Sequence, residues 1–290
     1  MKEKTEKLKA QFLEYAREDV CVAFSGGVDS SLVLAMAWEA AGQTGKRVYA
    51  LTMDTVLHPA ADLEIARKVL NQIRESGTAH EPERQPGRQP SRLLHEVLFL
   101  DELALPEIRR NPVNRCYLCK KTLYSRMLAF AHERGAAYVL EGSNEDDLHV
   151  YRPGLRAVKE LGVHSPLADC GVTKEEVRTL AARYGLSVAS RPSTPCMATR
   201  LPYGTEIDLS LLKRIDAAEQ SLRAMGLKNV RVRVHGNILR LEVDAGSLSF
   251  ATAHREEITA LLKPVGCPYL TLDLEGFRSG SMDIGTGEKI

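Results

Sequence analysis

The chain has 290 residues, 44% of them hydrophobic and 27% charged, which suits a folded globular protein with room for two domains. A net charge of +1 provides no broad polycationic face, so nucleic acid is not expected as the main partner. The charged N-terminal run has no apolar leader pattern and no stretch approaches a membrane span, so a cytoplasmic protein without a membrane partner is expected.

The first strong feature is an apolar run at 20–24, short enough for a buried strand, followed by Ser25-Gly26-Gly27-Val28-Asp29-Ser30-Ser31. A helical pattern begins at Ser30. Adjacent glycines let backbone approach a bulky anion, and a helix start offers unpaired N–H groups at the positive end of the dipole. Ser25, Ser30 and Ser31 add hydroxyls, and Asp29 is a candidate ligand for a phosphate-bridging Mg²⁺. The bland alternative is a strand–helix turn with a capping serine. The order S-G-G-x-D-S is neither a Walker loop nor a dinucleotide fingerprint. It resembles the PP-loop of ATP pyrophosphatases, which split ATP between its α and β phosphates.

Strand-like and helical patterns then alternate. A strand is expected over 48–53, followed by a helix through Leu63, Ala66, Val69, Leu70 and Ile73. Residues 79–91 are rich in Pro, Gln, Arg and Gly and read as a surface loop. Further strands are expected near 97–100 and 137–140, with a helix over 116–133 between them. Thr173 opens another helix with a capping box completed by Glu176. Such alternation implies an α/β fold, a parallel sheet covered by helices, with ligands at the C-terminal strand ends. Past residue 204 the pattern becomes a helix capped by Asp208, a hairpin at 230–243, a helix over 248–262 and a last strand over 269–274. Domains are therefore expected at 1–204 and 205–290.

Six cysteines in a reducing compartment read as thiols, metal ligands or reactive groups. Cys116 and Cys119, three apart on a helix, share a face, and neighbouring Arg115, Lys120 and Lys121 favour thiolates. A third thiol, Cys196, lies in a Pro-bounded stretch at the apparent domain junction. Three thiolates can hold a [4Fe–4S] cluster with one iron open to an outside ligand; core packing is the alternative. Cys21, Cys170 and Cys267 read as buried. Arg231 and Arg233 fall on one side of a strand and suit a phosphate or carboxylate, or else surface ion pairs. Glu219 and Glu242 are candidate divalent-ion ligands, with solvation the alternative. The polar stretch 141–154, directly after a strand, offers Asn144, Asp147 and Arg152 to a nucleotide or its metal.

Across nearly the whole chain, SGGVDSS (25–31), NPVNRCYLCKK (111–121), EGSNEDD (141–147), YRPG (151–154) and SPL (165–167) resemble the LarE family, PP-loop sulfur transferases of nickel-pincer cofactor synthesis. TPCMATRLPYG (194–204), VRVRVHG (230–236) and LEGFRSGSMD (274–283) continue the match. The resemblance implies a PP-loop (HUP-like) sheet with a small C-terminal α/β domain. It implies that ATP adenylates a carboxylate of a pyridinium dicarboxylate mononucleotide and that sulfur displaces AMP to leave a thiocarboxylate. Ser25 to Ser30 would bind phosphates and Thr52 would border the adenosine. Cys196 would donate sulfur, and Arg200, Arg231 and Arg233 would hold the substrate phosphate. Three-cysteine members carry sulfide on a cluster, whereas single-cysteine members sacrifice the cysteine; Cys116, Cys119 and Cys196 favour the cluster. A homo-oligomer is implied, with sulfide or a cysteine desulfurase as sulfur source. A PP-loop tRNA thiolase uses similar chemistry and is the competing reading.

Overall fold

The computed structural model describes all residues except 60, 79–91, 151, 193, 279 and 283–290, so the loop expected at 79–91 lies outside the described residues. Four parallel strands, β1 (Val20–Ala23), β2 (Arg47–Thr55), β3 (Arg92–Leu100) and β4 (Tyr138–Leu140), pair in the order β3-β2-β1-β4. The chain leaves β1 toward β2 and β3, then returns to place β4 on the other side of β1. That reversal opens a crevice beyond the C-terminal ends of β1 and β4, where α/β folds bind ligands.

Helices cover both faces because the strands are apolar on both. Val20 and Val22 point into a core built with helices Lys2–Tyr15, Val28–Thr44, Ala61–Thr78 and Lys174–Arg183. Cys21, between them, points into the opposite core with Tyr49, Leu51, Val139 and the Arg115–Arg134 helix. Cys21 is fully buried there, and burial pushes its thiol up to about 12. The capping box at Thr173 is formed in both directions with Glu176.

The second sheet pairs β5 (Val230–His235) antiparallel to β6 (Ile238–Val243), with β7 (Tyr269–Leu272) parallel to β6. Alternate residues Val230, Val232, Val234, Leu239, Leu241 and Val243 pack on Leu212, Ile215, Ala218 and Leu222 of the Leu209–Ala224 helix. Leu57, Leu103, Ile108, Met197, Ala198 and Leu201 join that core from the earlier part of the chain.

Three elements depart from expectation. The Lys2–Tyr15 helix was hidden by its charge, because only Leu8, Phe12 and Tyr15 carry its buried stripe. The expected 248–262 helix is broken into Leu248–Ala253 and Arg255–Leu262. At the break the His254 ring stacks on Phe250 and its Nδ1 lies 2.9 Å from the Phe250 carbonyl, while the backbone leaves helical geometry. β7 ends at Leu272, leaving Leu274 mostly exposed.

Candidate active site

Beyond β1 the helix starts earlier than expected, at Val28, with Gly27 as an extended N-cap that no side chain caps. Its first amides are therefore left for an anion. Gly26 adopts φ +72°, and a Cβ there would fall 2.7 Å from the Ala66 backbone, so only glycine fits. Ser25 Oγ and Ser30 Oγ lie 3.1 Å apart, and Ser30 Oγ also donates to the Gly27 carbonyl. Ser31 is fully buried and donates to the Gly27 carbonyl at 2.7 Å. It therefore braces the loop.

A cavity of about 310 Å³ opens at this crevice. Ser25, Gly27, Asp29 and Ser30 form one wall, with Thr52, Thr55 and His58 from the β2 end and Tyr124, Glu141 and Asp147 across from them. Thr52 is anchored by donating to the Phe24 carbonyl at 2.8 Å and lies 2.9 Å from His95 Nε2. The β4 loop reaches across so closely that a Cβ on Gly142 would meet the Ser30 amide nitrogen at 2.8 Å. Asn144 caps the following turn and donates to Asp29 Oδ1 at 3.1 Å, so it positions Asp29 from behind. Lys174 Nζ pairs with the other oxygen of Asp29. Asp147 pairs with Arg152 at 2.9 Å.

A second cavity of about 450 Å³ shares Lys120 and Arg152 with the first. Arg115, Cys116, Tyr203, Arg231, Arg233 and Phe277 line it, with Thr194, Pro195 and Thr199 from the Cys196 loop. Asn111, at φ +50°, donates from Nδ2 to the Pro202 carbonyl at 2.8 Å and accepts a hydrogen bond from Arg115. This clasp brings the start of the Cys116–Cys119 helix against the chain that follows Cys196. The thiols sense one another: Cys196 and Cys116 each contribute to raising Cys119. Burial is the main cause for both Cys119 and Cys196, opposed by the Arg115 guanidinium. Arg115 Nη2 lies 3.8 Å from Cys116 Sγ.

The arginines divide into two sets. Arg231 and Arg233 face the second cavity. Burial, with repulsion from Arg200, Arg223 and Arg233, lowers Arg231 to about 10, an environment that an anion would relieve. Arg200, by contrast, is fully buried and makes a two-pronged contact with Glu219 at 2.8 and 2.7 Å. Its Nη1 donates to the Pro195 carbonyl at 3.2 Å and to Thr199 Oγ1 at 3.0 Å. Arg200 thus holds the Cys196 loop from inside.

Glu219 and Glu242 are both buried and paired with arginines. Glu219 accepts from Arg200, Arg223 and the Val232 amide; Glu242 accepts from Arg233, Arg240 and Ser281. With both carboxylates saturated by these donors, they anchor arginines. Among the described residues no group of three or more His, Cys, Asp or Glu side chains is gathered to hold a metal ion. Cys170 is buried as expected, and Cys267 is half-buried.

The sequence reading gave no role at the nucleotide cavity to Lys120, Glu141, Tyr124, His58, Asp62 or Lys174. Lys120 directly follows Cys119 and Glu141 opens the polar stretch after β4, so both had a local signal. The others come from separate elements and meet only in the fold.

Comparison with known proteins places the chain in a family. A family profile described as NAD synthase matches residues 1–81, the part holding β1, the glycine turn and β2. The chain is 33% identical over 285 residues to an uncharacterized protein of Synechocystis sp., covering 98% of each. It is 33% identical over 266 residues to the pyridinium-3,5-bisthiocarboxylic acid mononucleotide synthase of Lactiplantibacillus plantarum, covering 91% of this chain and 88% of that one. An uncharacterized protein of Methanocaldococcus jannaschii is 32% identical over 182 residues, 63% of this chain and 71% of that one. With an uncapped glycine turn beside a thiol- and arginine-lined cavity, and this identity along nearly its full length, the chain belongs to the LarE family of PP-loop, ATP-dependent enzymes.

Proposed function

We propose that the protein adenylates a carboxylate of a pyridinium dicarboxylate mononucleotide and replaces the adenylate with sulfur. The observation that carries this reading is the pair of adjoining cavities sharing Lys120 and Arg152, one floored by the glycine turn and the other walled by Cys116, the Cys196 loop and two arginines. ATP would lie with its phosphates over Ser25, Gly27 and Ser30 and its adenosine toward Thr52, with Mg²⁺ on Asp29. The mononucleotide phosphate would lie on Arg231 and Arg233, which directs its ring toward the shared wall. A substrate carboxylate oxygen attacks the α-phosphorus and pyrophosphate leaves. A sulfur nucleophile then attacks the acyl carbon, and the carbon–oxygen bond to AMP breaks. Lys120 and Arg152 stand where negative charge develops in both steps. Two rounds convert both carboxylates.

Cys116, Cys119 and Cys196 offer the three thiol donors that an iron–sulfur cluster takes, with Cys116 and the Cys196 loop on one cavity wall and Arg115 Nη2 3.8 Å from Cys116 Sγ. Bound there, a [4Fe–4S] cluster would supply an open iron for a transferable sulfide. Sulfide or a cysteine desulfurase would renew it. We place the enzyme in the cytoplasm, as a homo-oligomer, with domains dividing near residue 204. Among the described residues no helix is long and apolar enough to cross a membrane.

A second reading, in which Cys196 surrenders its own sulfur, draws on the absence of a gathered metal-holding group among the described residues. Anaerobic reconstitution with iron and sulfide separates the two. The cluster reading predicts about four irons per chain, lost in Cys116→Ala. Conversion of Cys196 to dehydroalanine without bound iron supports the sacrificial route instead.

A further inference from the structure

Glu102 is a charged side chain with no exposure, outside every role assigned above. It opens the short turn Glu102–Ala104, capped by Asp101. Its Oε2 accepts from the Val56 amide at 3.1 Å, whereas Oε1 is buried without a hydrogen-bond partner. Burial raises its pKa against the opposing pull of the Thr55 hydroxyl and the Val56 and Leu57 amides. A buried carboxyl so incompletely satisfied is a cost that calls for a compensating role.

The turn it holds, 55–58, faces two ways. On one side Thr55 and His58 line the nucleotide cavity, joined by a 2.7 Å contact between Oγ1 and Nδ1. On the other, fully buried Leu57 packs in the second core, and its carbonyl accepts from the Met197 amide at 2.8 Å, one residue past Cys196. The carboxyl therefore stands behind a turn that touches both the nucleotide wall and the sulfur-bearing loop.

We propose that Glu102 is a positioning residue that fixes Cys196 relative to the bound nucleotide, so that sulfur rather than water meets the activated carboxyl. The inference rests on the sulfur-transfer reading. When the turn shifts, the acyl adenylate still forms, but water adds to the acyl carbon and the bond to the AMP oxygen breaks. Carboxylate and AMP result, and an ATP is consumed without product.

The ratio of AMP released to thiocarboxylate formed reports this directly. Glu102→Ala is expected to raise the ratio at least about tenfold, as misplacement of a reacting group by a fraction of an ångström to an ångström does. Its KM for the mononucleotide should stay within about twofold, because uniform binding is untouched. Glu102→Gln keeps an acceptor for the Val56 amide and should stay within about twofold of the wild-type ratio. If the alanine variant does not fold, Glu102→Asp, one methylene too short to reach Val56, should raise the ratio in the same way. A wild-type ratio in either shortened variant overturns the proposal.

Alkylation of Cys196 by iodoacetamide, resolved by peptide mass spectrometry, tests the link without turnover. AMP should change the wild-type rate by about threefold or more and leave Glu102→Ala unaffected. No AMP effect in the wild type, or the same effect in both proteins, overturns the proposal. A wild-type enzyme that forms no thiocarboxylate removes the sulfur-transfer reading, while the alkylation result still decides whether Glu102 joins the two sites.

Discussion

Arg200 and Glu219 are both fully buried, and their geometry is a fork meeting a carboxylate. Removing one partner leaves the other charge uncompensated in the interior. Glu219→Ala should cost about 3–5 kcal/mol in denaturant unfolding, and added divalent cation should not restore it. Burial pulls the Glu219 carboxyl up, but the hydrogen bonds and charge of Arg200, with the Val232 amide, outweigh it and hold the folded value below the usual carboxylate range. A depressed folded value contributes stability that is complete above the unfolded pKa and lost as pH falls through the folded one. The stability gap between wild type and Glu219→Gln, followed by denaturation at a series of pH values, should therefore narrow on acidification below the ordinary carboxylate pKa. At Cys196 the expected outcome is chemical: Cys196→Ala should abolish thiocarboxylate formation while substrate-dependent AMP release persists. Some of this was legible in the residues themselves. Arg231 and Arg233 share a strand face, and the alternation alone places them together. The pairing of Arg200 with Glu219 was not legible, because sequence shows charge without direction.

At the scale of elements, two close approaches set the nucleotide site. The turn after β1 meets the Ala61–Thr78 helix at Gly26, and the loop after β4 meets the turn itself at Gly142. In both places the obstructing atoms are backbone, which cannot swing aside. Gly26→Ala combines that clash with a left-handed φ, and it should reduce substrate-dependent AMP formation at least about a hundredfold. Gly142→Ala should raise the KM for ATP, since its methyl group would press on the Ser30 amide. The capping box at Thr173 starts the helix whose first residue, Lys174, pairs with Asp29, and Thr173→Ala should cost about 1 kcal/mol in thermal or denaturant unfolding. Element types were readable wherever apolar periodicity or a cap was strong, as in β1, the β5–β6 hairpin and the Lys174–Arg183 helix. The Lys2–Tyr15 helix was missed because its stripe is three residues among charges, and the break at His254 because it arises from a side chain meeting its own backbone rather than from Gly or Pro.

Across the whole molecule, two sheets with separate cores leave their functional surfaces adjoining. The first sheet contributes the crevice created by the reversal from β3 to β4, and the second contributes the face of β5 opposite its valines. The Asn111–Arg115 clasp and the Leu57 to Met197 hydrogen bond tie the thiol-bearing segments between them. The first sheet was legible because a glycine turn after a buried strand has few other uses. The meeting of His58 with Lys120 and Glu141 around one cavity was not, because no local pattern joins residues so far apart in the chain.

The central claim is that a nucleotide over Gly26 and Gly27 activates a carboxyl for attack by sulfur delivered at Cys196. Incubating the anaerobically reconstituted enzyme with ATP, Mg²⁺ and pyridinium dicarboxylate mononucleotide, followed by mass spectrometry of the small molecules, tests it most directly. The account predicts AMP, pyrophosphate and a mononucleotide heavier by the sulfur–oxygen difference for each carboxylate converted, and with Cys196→Ala the mass gain disappears while AMP release remains. AMP release with the mononucleotide mass unchanged under those conditions would contradict it.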